Sequence, residues 1–291
     1  MPGGTDWGGA PPVLRMILGR QLGDLRKRAG LSYNQAGDAL GVSHSTIRRI
    51  EAAKVARLRL SDVQRLLETY GVTDPEELGT FLQAVREANK QGWWHTYRDV
   101  LPDWVAAYLS LEQAARQIRA YEPGFVHGLL QTESYARALI VAENPHATPE
   151  AIERRVALRM RRQELLHRDD PPRLWVVLDE TVLRWPVGGR EVMARQIDHL
   201  MELTALPQVT IQVMRFARGP HPAMPAGAFH LFRFRAPELP DIVYLTSLIG
   251  AVYLDGRDDV MVYREVLDRL GAQAAPGDRT ADLLDEVRKE L

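Results

Sequence analysis

Apolar positions in the first quarter of the chain recur at helical spacing and are interrupted at short intervals by glycine and by helix-capping residues. Leu14, Leu18, Leu22, Leu25 and Ala29 share one face, Arg15, Arg26, Lys27 and Arg28 lie on others, and Gly30 ends the helix. Ser32 suits the N-cap of a second helix, Tyr33 to Leu40, stopped at Gly41. Ser43 caps a third through about Ala53, Ser61 a fourth closed by Gly71, and Asp74-Pro75 opens a fifth that runs to about Asn89. A Gly-containing turn alone separates the second and third, which predicts a helix-turn-helix bundle. Around the third helix Val42, Ile47, Ile50 and Ala53 form an apolar arc, and His44, Ser45, Arg48 and Arg49 lie opposite.

After residue 100 the pattern changes. Helical spacing continues near 104–121, 133–143, 149–168 and 190–205, and again near 258–270 and 278–290. Between these, "RLWVVLDETVL" reads as a β-branched and bulky strand, "VTIQVMRF", "AFHLFRF" and "IVYLTS" alternate, and "GAVYLD" offers a fifth strand. The expected fold is multidomain. An all-α helix-turn-helix domain (14–90) precedes an α+β or mixed α/β domain (104–291) with a largely antiparallel sheet. "QGWWHTYRDVLPDW", with three tryptophans, makes 91–103 a packed connector where the domains meet, and the Gly/Pro-rich residues 1–13 a disordered lead-in.

Charge changes this picture more than overall composition does. The 291 residues carry a formal charge of −1, yet Leu14 to Leu66 holds eleven Lys/Arg against four Asp/Glu. A basic module therefore joins a mildly acidic body, the footprint of a nucleic-acid binder. The absence of cysteine excludes disulfides, thiolate catalysis and Cys-ligated zinc. No run suggests a membrane span or a signal peptide, so a cytoplasmic location is expected.

"AGLSYNQAGDALGVSHSTIRRIE" resembles the lambda-repressor-like (XRE) helix-turn-helix, through Gly30-Leu31-Ser32, Leu40-Gly41-Val42-Ser43, Ser45-Thr46-Ile47 and Arg49-Ile50-Glu51. The third helix is then the recognition helix. Arg49 suits a bidentate contact to guanine, His44 and Ser45 suit base edges, and Arg48 suits phosphate. Thr46 contacts phosphate or packs, and Ser43 sits at the helix start facing the DNA. Glu51 is better placed to pair with a nearby cation. Tyr33 stands where relatives carry a phosphate-binding Gln, and either gives its hydroxyl to phosphate or packs. Ala36 and Gly37 replace the usual Leu and Ala, and Gly37 costs the helix about 1 kcal/mol relative to Ala.

"YLSLEQAARQIRAYEPGFVHGLLQTESYARALI" is similar to the start of a long-uncharacterised C-terminal domain of actinobacterial XRE regulators. The shared residues are Glu112, Ala115, Gly128–Thr132 and Tyr135–Arg137, with His127 where Pro is usual. That resemblance implies an antitoxin-like protein with a small partner protein encoded nearby.

Four features of the body bear on chemistry. Asp179-Glu180, adjacent on a strand, would point to opposite faces and share an ion poorly. His221 and His230 flank the loop "ARGPHPAMPAG", which either closes over a ligand or is a proline-stiffened crossover. His127 to Thr132 is a pocket wall or a tight turn using Gly128. The Arg-rich 153–168 stretch reads first as a solvated helix face. No catalytic residue, metal or cofactor is expected. The expected function is a sequence-specific DNA-binding regulator that reads a two-fold-symmetric double-stranded operator as a homodimer. Its C-terminal domain binds a partner protein or, alternatively, a small-molecule effector.

Overall fold

The computed structural model describes residues 11–55, 57–89, 92–234, 240–248 and 250–291. Residues 1–10, and with them most of the expected lead-in, lie outside the described residues. The chain divides into two compact units. One comprises the described residues up to His95 with Ala107–Ala114; the other comprises Thr96–Ala106, Ala115–Phe234 and Pro240–Leu291.

The first unit contains helices α1 (Pro11–Arg28), α2 (Tyr33–Leu40), α3 (His44–Glu51), α4 (Leu60–Thr69) and α5 (Pro75–Ala88). Ser32 and Gln35 form a capping box on α2, which ends at Gly41 in the left-handed region (φ 71°). Ser43 caps α3, accepting from the Thr46 amide. Ile17, Leu18, Leu22, Ile47, Val63, Leu66, Leu67 and Val85 are buried. Three sequence expectations shift. Helix α1 begins at Pro11. Helix α4 starts at Leu60 with Arg59 rather than Ser61 at its N-cap, and no side chain caps it. Helix α3 stops at Glu51, because Ala53 takes a positive φ of 54° outside the helix.

The second unit is built on a mixed six-stranded sheet in the order β3-β2-β1-β4-β5-β6. The strands are β1 (Ala115–Glu122), β2 (Arg173–Asp179), β3 (Val209–Met214), β4 (Phe229–Phe234), β5 (Ile242–Ser247) and β6 (Gly250–Leu254). The first three pair in parallel, and β4 to β6 continue antiparallel from β1. Helices α6 (Asp103–Ala114), α7 (Glu133–Glu143), α8 (Pro149–Gln163), α9 (Glu180–Arg184), α10 (Arg190–Leu203), α11 (Arg257–Gln273) and α12 (Thr280–Glu290) complete the chain. Helix α11 covers one face, where Val260, Leu267 and Leu270 meet Val177, Phe229, Leu231 and Val243. Among the described residues no helix is long and apolar enough to cross a membrane.

Two elements differ in kind from their sequence reading. The helix expected over 104–121 stops at Ala114, and "ARQIRAYE" is the strand β1, paired on both sides. Its Ala, Gln and Arg residues favour helix locally, but pairing with β2 and β4 outweighs propensity. The strand expected to run through "DETVL" ends at Asp179. That carboxylate accepts from the Thr181 amide at 2.9 Å and starts the short helix α9. Asp179 and Glu180 are thus a cap and a first helical residue, not alternate positions of one strand.

Candidate nucleic-acid interface

The third helix presents the two faces that its sequence pattern requires. Ile47 and Ile50 are buried, while Ser43, His44, Ser45, Arg48 and Arg49 are exposed and Thr46 is half-buried. The Ser43 hydroxyl lies 2.8 Å from that of Ser45 and 3.1 Å from that of Thr46, so the first turn carries a cluster of hydroxyls at the helix N-terminus. Arg48, Arg49 and Lys54 add positive charge toward its other end. Among the described residues Arg49 is held only by a long bond, 3.4 Å, to the Lys54 carbonyl, which leaves its guanidinium available. Exposed hydroxyls, an imidazole and two guanidinia on one helix are groups of the kinds that contact base edges and phosphates in DNA-binding helices.

What fixes this helix lies behind it. Arg26 of α1 forms a two-pronged pair with Glu51, at 2.7 and 2.9 Å, and also donates to the Leu31 carbonyl at 2.8 Å. Both side chains are more than nine-tenths buried. Burial alone would lower the Arg26 pKa, but the hydrogen-bonded Glu51 carboxylate outweighs it and raises the pKa. The Arg26 guanidinium sits 3.9 Å above the Tyr33 ring, and Arg48 lies 5.3 Å from the same ring. Tyr33 therefore packs between two cations, linking α1, α2 and α3.

Glycine permits the close approach. A β-carbon at Gly19 would lie 2.5 Å from the Glu51 carbonyl oxygen, and one at Gly23 would lie 2.9 Å from the Glu51 carboxylate. One at Gly37 would lie 2.6 Å from the Val42 carbonyl oxygen. Gly37 is thus the residue that lets the turn close onto α2, rather than a simple loss of helix stability.

In the second unit, the segment from Val126 to Thr132 is a turn secured from two helices. Arg159 of α8 donates to the Gln131 side chain at 2.7 Å, and Gln163 donates to the Gln131 carbonyl at 2.6 Å. Gln196 of α10 donates to the Leu130 carbonyl and accepts the Thr132 amide. A β-carbon at Gly128 would lie 3.2 Å from the Arg162 guanidinium, a tight contact that this side chain would have to yield to by a few tenths of an ångström. Arg162 is buried and Arg159 half-buried, so this side of α8 is not a solvated face, whereas Arg161 is exposed; Arg154, also half-buried, pairs with Asp99.

Beneath that turn Glu122, His127 and His230 bring possible metal-binding atoms within 4.8 Å of one another. The pair expected from sequence, His221 and His230 about the 217–227 loop, forms two separate contacts: His230 bonds Glu122 at 2.8 Å, and His221 lies by Tyr121 and Asp179. The donor set suits a cation poorly. The His127 Nδ1 accepts the Leu129 amide at 3.2 Å, so in the neutral ring Nε2 carries the proton and has no lone pair for a metal. The Arg162 and Arg159 charges act on the same ring. Its Nε2 has no hydrogen-bond partner among the described residues.

Burial, then His230, Arg162 and Arg159, hold His127 well below its ordinary pKa of 6.5. Below that pH the unfolded chain binds a proton that the folded chain refuses, so stability falls as pH drops through it. The slope is at most about 1.4 kcal/mol per pH unit. His127→Asn, whose side-chain oxygen can accept the Leu129 amide, should flatten urea midpoints between about pH 7 and pH 5.5. A slope equal to wild type would remove His127 as its source.

Comparison with known families agrees with the division of the chain. Residues 17–78 match a helix-turn-helix domain, and residues 105–286 match a domain of unknown function, DUF5753. The chain belongs to the DUF5753 family. No curated protein and no solved structure matches it. The helix-turn-helix domain of this DUF5753 protein supports DNA binding and a role in transcription regulation.

The structure gathers Ser43, His44, Ser45, Thr46, Arg48 and Arg49 on or at the start of one short helix, with Tyr33 behind Arg48. Sequence reasoning missed Arg26, Gly19 and Gly23. Their signal was present as a small-residue strip one turn apart on α1 with an arginine three residues on, but only the partner Glu51 gives that strip its meaning.

Proposed function

We propose that this DUF5753 protein is a sequence-specific transcription regulator of the XRE type, without enzymatic activity, working in the cytoplasm as a homodimer on a two-fold-symmetric operator. The observation that carries the reading is the exposed polar and cationic face of α3, clamped from behind by the buried Arg26–Glu51 pair. In this reading Arg49 contacts a guanine, His44 and Ser45 contact base edges, and Ser43, Thr46 and Arg48 contact phosphate. The Tyr33 hydroxyl adds a phosphate contact.

The C-terminal domain, in the same reading, is antitoxin-like and binds a small partner protein. The two sheet edges favour this. Beside β3, the Ala275 amide bonds the Val213 carbonyl and the Thr280 hydroxyl bonds the Ile211 carbonyl. The edge strand β6 has no such cover among the described residues, and Leu248 before it and Val252 on it stand exposed. A second reading, gating by a small molecule, is favoured by a cavity where β2 and β3 end.

Selection of bound duplexes from a random library tests the DNA reading. The wild type should enrich a two-fold-symmetric motif. Arg49→Ala should relax one position per half-site, at a cost of about 1–3 kcal/mol in discrimination. Enrichment of no sequence, or an unchanged motif in the variant, would refute the assignment of α3 as reader.

A further inference from the structure

The cavity where β2 and β3 end has features that packing does not explain. It measures about 400 Å³, within the range of small-molecule sites, and lies beyond the carboxyl ends of two parallel strands. Asp179, Met214, Arg215, Phe216, His221 and Met224 line it. The 215–227 segment that forms one wall is an ordered element rather than a loose connector. Ala223 is fully buried in the core beside Tyr121 and Phe229, and Gly219 and Gly227 take positive φ at 68° and 66°. Phe216 and Met224 nevertheless stay more than half exposed, an apolar pair left uncovered at the cavity.

Its polar groups are arranged for something absent from the fold. The His221 side chain is 5% exposed. Its Nε2 lies 3.3 Å from the Tyr121 hydroxyl and 3.6 Å from an Asp179 oxygen. The other Asp179 oxygen already accepts from the Thr181 amide and hydroxyl. The Asp179 carboxylate only accepts and interacts with the Tyr121 hydroxyl; with that hydroxyl proton turned to Asp179, the hydroxyl oxygen accepts from Nε2 and the neutral ring keeps a lone pair at Nδ1. That Nδ1 is buried and has no hydrogen-bond partner among the described residues. Such an atom costs free energy while it stays unpaired, and a donor that reaches it through a small shift of the side chains around it offsets that cost. Arg215 supplies the opposite function. Its ion pairs to Glu180 and Glu286 are both long, at 3.9 Å, beyond hydrogen-bond reach. Its fork can turn to a ligand carboxylate without breaking a hydrogen bond to either.

We infer that this cavity binds a small molecule with an apolar, preferably aromatic body, a hydroxyl or N–H donor for His221 Nδ1, and a carboxylate for Arg215. Met214, Phe216 and Met224 supply the thioether and ring contacts suited to that body. The inference deepens the second reading above, since it names the chemistry of the effector.

Calorimetry on the full chain with 4-hydroxybenzoate, benzoate and phenol as probes tests it. The wild type should bind 4-hydroxybenzoate about tenfold more tightly than either compound lacking one group. His221→Phe, which keeps an aromatic ring, should lose the preference over benzoate alone. Arg215→Ala, at a half-exposed position, should lose the preference over phenol alone. No saturable binding of 4-hydroxybenzoate by the wild type would overturn the site, as would preferences that neither substitution alters. Operator affinity measured with and without 4-hydroxybenzoate separates the two levels. Binding that leaves DNA affinity unchanged keeps the site and removes only the gating reading. Absence of binding removes the site and leaves the DNA reader intact.

Discussion

Glu51→Ala should destabilise the helix-turn-helix unit by about 3–5 kcal/mol and abolish sequence-specific DNA binding. The substitution leaves the Arg26 guanidinium buried, with the Leu31 carbonyl and the Tyr33 ring but no counter-charge. An uncompensated buried cation is among the costliest single defects a fold can carry, far above the loss of an exposed ion pair. The loss should also be local, because Glu51 is the last residue of α3 and Arg26 lies in the last turn of α1. Amide exchange should therefore accelerate across α3 while the β1–β2–β3 strands stay protected. Joint replacement, Arg26→Met with Glu51→Leu, removes both charges together and should recover much of the stability. Urea unfolding of the two variants decides it. A single variant within about 1 kcal/mol of wild type would show that the pair does not hold the recognition helix.

Gly19→Ala and Gly37→Ala should each destabilise by about 1–3 kcal/mol, opposite in sign to what helix propensity alone predicts. In a helix interior, Gly to Ala ordinarily gains up to about 1 kcal/mol. At these two positions the new methyl would press within 2.5 and 2.6 Å of backbone carbonyl oxygens, Glu51 and Val42. Backbone cannot rotate away as a side chain can, so α3 must shift from α1 or the turn must open from α2. Gly79, on α5, has nothing within 4 Å of its would-be β-carbon. Gly79→Ala should accordingly stabilise by up to about 1 kcal/mol. If all three substitutions move the thermal midpoint upward together, the close approaches are not what those glycines provide.

Much of the first unit was legible because its signals are local. Ser32, Gly41 and Ser43 act within a turn of themselves, and the amphipathic split of α3 is a property of eight consecutive residues. The same holds for helices α7, α10 and α11 and for the alternating strands β3 to β5. What misled the reading was nonlocal. "ARQIRAYE" contains nothing that demands a strand, and it becomes one because β2 and β4 offer hydrogen bonds on both sides. Arg119 then lies over Trp175 and pairs with Asp268, contacts spanning 56 and 149 positions that no window along the chain contains.

The amino-acid sequence by itself determined the helix-turn-helix, its polar reading face and the change to an α/β body, since periodicity, caps and charge are written in neighbouring residues. Only the tertiary structure decided which groups stand together. Glu51 meets Arg26 across 25 positions, Gly37 turns from liability to necessity, and His221 is brought to Tyr121 and Asp179 with one nitrogen left over. The physical reason is that burial and close approach are properties of pairs of elements. They acquire their energies only when the chain has folded back on itself.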